Sequence, residues 1–237
     1  MLYAWINGVK RTPIKKGEQT ICQDCGGILT SVIPTENIKH WRHKAGDCDS
    51  WSEAEGEWHL SWKEHFDFNS REICLVDEHS GEKHRADILC GLGSSNATVL
   101  ELQHSHISEE ERVSRELFYS RNNKMFWLVH IHSESSFNEF SFETFIGFSS
   151  EIEYAGHKFM VGSWGGRSTQ FIEKWKKSSV NVFFDWKGYV FYLADEKVSK
   201  HLGGPFGRGR FAVCALSKDD FISAANGKME KPDVELS

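Results

Sequence analysis

Asp87, Glu101 and Gln103 are the side chains of this sequence whose types and spacing best suit chemistry. Asp87 closes the segment His84-Arg85-Ala86-Asp87, and thirteen residues (88–100) separate it from Glu101-Leu102-Gln103. Both segments read as short strands, in which successive side chains alternate between faces, so Glu101 and Gln103 share a face. At adjacent strand ends, Asp87 and Glu101 can share a hard divalent cation through carboxylate oxygens. A carboxylate inside a sheet is costly unless paired or metal-bound, and two that converge raise each other's proton affinity. A cation resolves that conflict. The expected chemistry is that of a metal-dependent nuclease; the plainer reading of Asp87 is a strand end that solvates its turn.

A second constellation lies near the N-terminus. Cys22-Gln-Asp-Cys25 has the two-residue spacing of a metal knuckle, followed by Gly26-Gly27. A closed structural zinc site needs four ligands, and the remaining pool is His40, His43 and Cys48. His43 with Cys48 is the preferred completion, His40 with His43 the alternative. In an extended segment Trp41 shares a face with His43 and backs the site. So small an N-terminal core has more to gain from a metal than from an unliganded cysteine pair. Cys74, Cys90 and Cys214 fall in apolar strands and read as small buried hydrophobes.

Elements must position these groups. Residues 52–66 read as a helix, with Ala54, Trp58, Trp62 and Phe66 four apart as its buried stripe. Glu55, His59 and Lys63 form a polar stripe beside it, facing the acidic pair. Glu55 stands equally well as the third residue of a capping box opened by Ser52, and Glu55 with His59 as a surface pair. Strands follow at 71–76, 83–89 and 97–103. Ser108-Glu-Glu-Glu111 opens a second helix running to about residue 121, with Ile107 as its hydrophobic staple. There Arg115 and Tyr119 share a face and can reach a phosphate, or Arg115 pairs with Glu111. A strand at 124–131 completes the order αβββαβ, a mixed α/β sheet with a helix crossover.

The chain divides by composition into residues 1–50, 51–135 and 136–237. The last region is aromatic-rich and β-leaning, with strand formers at 140–148 and a hairpin expected across Asp185-Trp-Lys-Gly188. Ser217-Lys-Asp-Asp220 opens a final helix, and the polar tail from Lys228 is expected to fray. The sequence is 39% hydrophobic and 26% charged, the balance of a folded globular protein. Its apolar runs are too short to span a bilayer and the start lacks a secretory signal, so a cytoplasmic protein with no membrane partner is expected. Six cysteines are too few for a disulfide scaffold. The net charge of −6 opposes nucleic-acid binding unless positive charge is concentrated locally, as at Lys174, Lys176 and Lys177 or Arg208 and Arg210. That acidic balance also leaves room for a partner protein or a homo-oligomer.

Together, Cys22-x-x-Cys25, His40-Trp-Arg-His43, Glu55 with His59 and Lys63, His84-Arg-Ala-Asp87, Glu101-Leu-Gln103 with Ser105, and Arg115 with Tyr119 resemble the competence-protein CoiA-like family. The resemblance covers roughly residues 20–130. It implies a restriction-endonuclease-like core of the PD-(D/E)xK nuclease superfamily behind a zinc module (Cys22, Cys25, His43, Cys48), with a β-leaning C-terminal extension for substrate or partner. It also implies Mg2+ or Mn2+ on Asp87 and Glu101, with Glu55 as the helix carboxylate and Gln103 in the superfamily's lysine slot. Gln103 cannot take a proton from water, and Lys63 is placed to fill the lysine's role. DNA is the implied substrate, met by Arg85, Arg115 and Tyr119, in competence or anti-phage defence.

Overall fold

The structure, a computed structural model, describes residues 1–46, 48–51, 55–132, 136–165 and 169–227. The described residues pack as two compact units, Met1–Leu89 and Cys90–Ser237, and the boundaries expected at 50 and 135 fall inside them.

In the first unit, Asn7-Gly8 supplies the two positive φ angles (51° and 79°) that a tight hairpin needs. It joins β1 (Ala4–Ile6) to β2 (Val9–Arg11). A three-stranded antiparallel sheet follows, built from β3 (Gln19–Ile21), β4 (Ile28–Val32) and β5 (His40–His43). Its apolar residues Leu29 and Trp41 pack with Ala4 and Cys22 into a small core. Helix α1 (Glu57–Lys63) and the antiparallel pair β6 (Arg71–Val76) and β7 (Lys83–Cys90) complete the unit.

Helix α1 is shorter than its aromatic periodicity predicts. Its N-cap is Gly56, whose amide donates to Nδ1 of His59 at 3.4 Å, so His59 and not Glu55 makes the backward cap bond. Glu55 precedes the helix, while Ser52 and Ala54, invoked in the longer reading, lie outside the described residues. The buried stripe survives as Trp62 and Phe66.

In the second unit, β8 (Thr98–Gln103), β9 (Lys124–Ile131) and β12 (Asn181–Trp186) run parallel, with α2 (Glu109–Tyr119) crossing over between β8 and β9. Every residue of β8 is buried, as a parallel strand covered on both faces requires. Ser108 caps α2 by accepting from the Glu111 amide, and Ile107 is buried beside it, so the predicted start holds. Beyond β12 the sheet turns antiparallel: β13 (Tyr189–Leu193), β14 (Arg210–Leu216), β11 (His157–Ser163) and β10 (Ser150–Tyr154) follow in spatial order. The protein is thus mixed α/β with a large, mostly antiparallel sheet. The hairpin between β12 and β13 turns at Lys187-Gly188, both at positive φ, within the predicted segment.

Among the described residues four helices accompany these strands, so the C-terminal region is less β-rich than its aromatic content suggests. They are α3 (Ser136–Phe148), α4 (Gln170–Lys176), α5 (Glu196–His201) and α6 (Lys218–Ala225). The strand expected at 140–148 is part of α3, because Phe142 and Phe145 fall three apart and both enter the core. Ser217 caps α6 as expected. Among the described residues, no helix is long and apolar enough to cross a membrane.

Candidate metal centre and acidic cluster

The thiolate site is built by a turn and a strand. After Cys22 the chain doubles back: the Gly26 amide donates to the Cys22 carbonyl and the Cys22 amide to the Gly27 carbonyl, both at 2.8 Å. Gly26 takes φ +74°, which glycine adopts without penalty. A Cβ on Gly27 would sit 3.2 Å from Cys25 Sγ and 3.5 Å from the His43 ring, so that position must stay small. Strand β5 then delivers His43, with Trp41 buried on the same face.

The ligand atoms of Cys22, Cys25, His43 and Cys48 all lie within 4.8 Å of one another. Cys22 Sγ is 4.0 Å from Cys48 Sγ, and Cys25 Sγ is 3.4 Å from His43 Nε2. Tetrahedral zinc with ordinary bond lengths sets those edges at about 3.8 and 3.6 Å, so the donors fit the metal. Burial and the neighbouring Cys22 push the Cys48 thiol up to about 12, a cost that a bound dication removes. His40 is outside this set; its Nδ1 meets the Ile38 carbonyl at 3.0 Å. The preferred completion, His43 with Cys48, is therefore the one the fold assembles.

Asp49, unremarked in the sequence, anchors the next residue. Its carboxylate accepts from the Arg85 amide at 2.7 Å and meets His84 Nδ1 at 3.0 Å. Trp51 stacks on that imidazole with ring centres 3.2 Å apart. The chain leaving Cys48 is thus fastened to β7, the strand that carries Asp87. Arg85, expected to contact DNA, instead pairs with Asp24, and its side chain is mostly buried.

The acidic residues of this unit gather around Lys63. Its ammonium, with a fully buried side chain, lies 2.5 Å from Glu55, 2.9 Å from Asp87 and 3.3 Å from Glu72. The expected stripe of Glu55 with Lys63 is realised as a contact, though Glu55 reaches it from outside the helix. Glu72 is the member that sequence reasoning missed. It sits at positive φ (47°), uncommon for a side-chain-bearing residue, and its carboxylate also accepts from the Leu2 amide at 2.9 and 3.0 Å and the Tyr3 amide at 3.3 Å.

Three carboxylates around one ammonium leave excess negative charge. Burial disfavours the charge on Lys63, but Asp87, Glu55 and Glu72 outweigh it and hold the amine well above its usual range. Glu72 stays below the usual carboxylate range: burial opposes this, but Lys63, the N-terminal ammonium and the Leu2 amide prevail. Glu55 absorbs the imbalance. Burial, reinforced by Glu72 and Asp87 and only partly offset by Lys63, raises its carboxyl to about 7. Glu55 Oε2 is buried with no hydrogen-bond partner among the described residues.

Glu101 and Gln103 belong to the second unit. Both are buried, and Glu101 accepts from Arg115 at 3.1 Å. Arg115 also holds Glu111 at 2.5 Å, the ion pair that stood as the alternative to phosphate contact. Tyr119 is a buried ring against Phe118. Gln103 donates to the Ser105 carbonyl at 3.1 Å. Nearby, Glu116 bonds Arg112, Trp127 Nε1, Ser178 and Ser179, tying α2 to the segment entering β12.

Two outcomes follow. Purified protein should carry one zinc per chain by elemental analysis; His43→Ala should drop that to near zero and His40→Ala should leave it unchanged. Between about pH 4.5 and 7 the folded state holds a proton on Glu55 that the unfolded state has released, so stability falls as pH rises through that window. Urea unfolding at pH 5 and 7.5 should show this loss, on the order of 2–3 kcal/mol, and Glu55→Gln should flatten it. Searches against protein-family models, curated proteins and solved structures give no match to this chain.

Proposed function

We propose that the protein is a metal-dependent nuclease that hydrolyses phosphodiester bonds in DNA. The observation that carries this reading is the cluster of Glu55, Glu72 and Asp87 around the buried Lys63, whose surplus of negative charge suits a hard cation. The orphaned Oε2 of Glu55 is a donor atom left for such a ligand. Along the chain, α1, β6, β7, β8, α2 and β9 follow the order αβββαβ of a restriction-endonuclease-like core, which supports the CoiA-like resemblance.

In this reading Asp87 would be a ligand of Mg2+ or Mn2+, as the resemblance implies, and the ion would supply Lewis acidity and a water of lowered pKa. Lys63, kept charged by its three carboxylates, would take over the role of the superfamily's lysine, whose slot Gln103 occupies, by offering positive charge to a reacting phosphate. Gln103, unable to accept a proton, orients rather than activates. Zinc on Cys22, Cys25, His43 and Cys48 is structural and holds β7 in place through Asp49. A role in processing incoming DNA, in competence or in defence against phage, follows from the resemblance.

A second reading is a DNA-binding or structural subunit without turnover. It is favoured by one observation: Lys63 and Arg115 already neutralise Asp87 and Glu101. Incubation with single- and double-stranded DNA separates the two. Cleavage with Mn2+, abolished by EDTA and reduced about 100-fold or more in Asp87→Ala, is the expected result. DNA retention without cleavage by either protein in any metal would establish the second reading instead.

A further inference from the structure

We infer that the carboxyl ends of β8 and β9 carry a second metal site, an all-nitrogen one built on His104, His130 and His132 and suited to a borderline divalent cation such as Ni2+ or Cu2+. It is independent of the proposed nuclease chemistry. The parallel register sets Gln103 beside Val129, which brings His104, the next residue, beside His130. By alternation these imidazoles stand on the opposite face of the sheet from Glu101 and Gln103.

His104 Nδ1 and His130 Nδ1 face each other at 2.8 Å. Two lone pairs cannot share that gap unaided; a proton or a metal must lie between them. Two nitrogens each about 2.0 Å from an ion and at right angles are about 2.8 Å apart, the cis edge of a square-planar or octahedral site. Imidazole nitrogen selects the later first-row divalent metals over magnesium and calcium.

His132 supplies the third ring. It stacks on His104 with ring centres 4.1 Å apart and lies 5.0 Å from His130. Its Nε2 meets the His104 carbonyl at 3.3 Å, which assigns the proton to that nitrogen and leaves the lone pair on Nδ1. A metal-binding histidine is held this way, its far N–H on a backbone carbonyl. His132 Nδ1 is buried and has no hydrogen-bond partner among the described residues. Asp185, buried on β12, occupies the register position beside His130 and adds a negative charge that favours a cation there. Among the described residues only the cysteine-rich set has all its donors within 4.8 Å, so His104 and His130 form the two-nitrogen bite of the site and His132 Nδ1 is the neighbouring spare donor.

The test is calorimetric titration of the zinc-loaded, full-length protein with Ni2+. One nickel per chain is expected at pH 7.5. Binding should weaken at least tenfold at pH 5.5, where protons compete for imidazole. Losing a direct ligand should cost at least the 10–100-fold that losing an outer partner costs, so His104→Asn and His130→Asn should each weaken binding by that much. Wild-type protein that takes up no nickel at pH 7.5 would show a proton-bridged pair only and overturn the inference, whatever the variants do. Folded variants that bind nickel as tightly as wild type would overturn it as well. His132→Asn, at a half-buried position outside the strands, provides the check if the strand-end variants do not fold.

Discussion

A buried ammonium among carboxylates is the constraint on which the first unit turns. Lys63 can be buried because Glu55, Glu72 and Asp87 surround it, and its charge in turn offsets the buried Glu72 and the partly buried Glu55 and Asp87. Removing one partner of such a set leaves an uncompensated buried charge, at about 3–5 kcal/mol, whereas replacing the whole set by apolar groups is often neutral. Stability alone therefore does not account for it. The cluster fixes geometry: it joins the last residue of α1 to β6 and β7, and through Glu72 to the backbone of Leu2 and Tyr3.

The zinc-type site serves the same strand from its other end. Cys48 and Asp49 are adjacent, so closing the metal site also sets the carboxylate that clamps the Arg85 amide. Two residues along β7 from Arg85 is Asp87. A cysteine and histidine cluster that fits zinc and an ammonium held by carboxylates thus bracket one short piece of chain. Preorganisation of this kind is what the proposed catalytic role of Asp87 would need, since small displacements of a reacting group are costly in rate.

Much of this was legible in the sequence where local chemistry decides. Ser108 and Ser217 announce their helices because a serine side chain caps the first amides wherever it stands. The strand at 124–131 and the turn at Lys187-Gly188 follow from unbroken apolar residues and from glycine. The Cys22-x-x-Cys25 knuckle carries its own spacing rule. Helix α3 was not legible as a helix, because its phenylalanines are strand formers by propensity and tertiary packing overrode that preference. Glu72 was hidden for a different reason. Nothing in Arg71-Glu-Ile-Cys reveals a positive φ or a distant ammonium, both of which exist only once α1 and the N-terminal residues have docked. Arg85 and Arg115 read as phosphate contacts because arginine suits phosphate; which carboxylate claims each one is a matter of the fold.

The central proposal is that the carboxylates gathered around Lys63 hold one hard cation. Anomalous scattering from crystals soaked in Mn2+ tests it most directly. The proposal predicts a manganese peak with Glu55 and Asp87 oxygens both about 2.0–2.6 Å away. No peak there, with both carboxylates still held by Lys63, would contradict it.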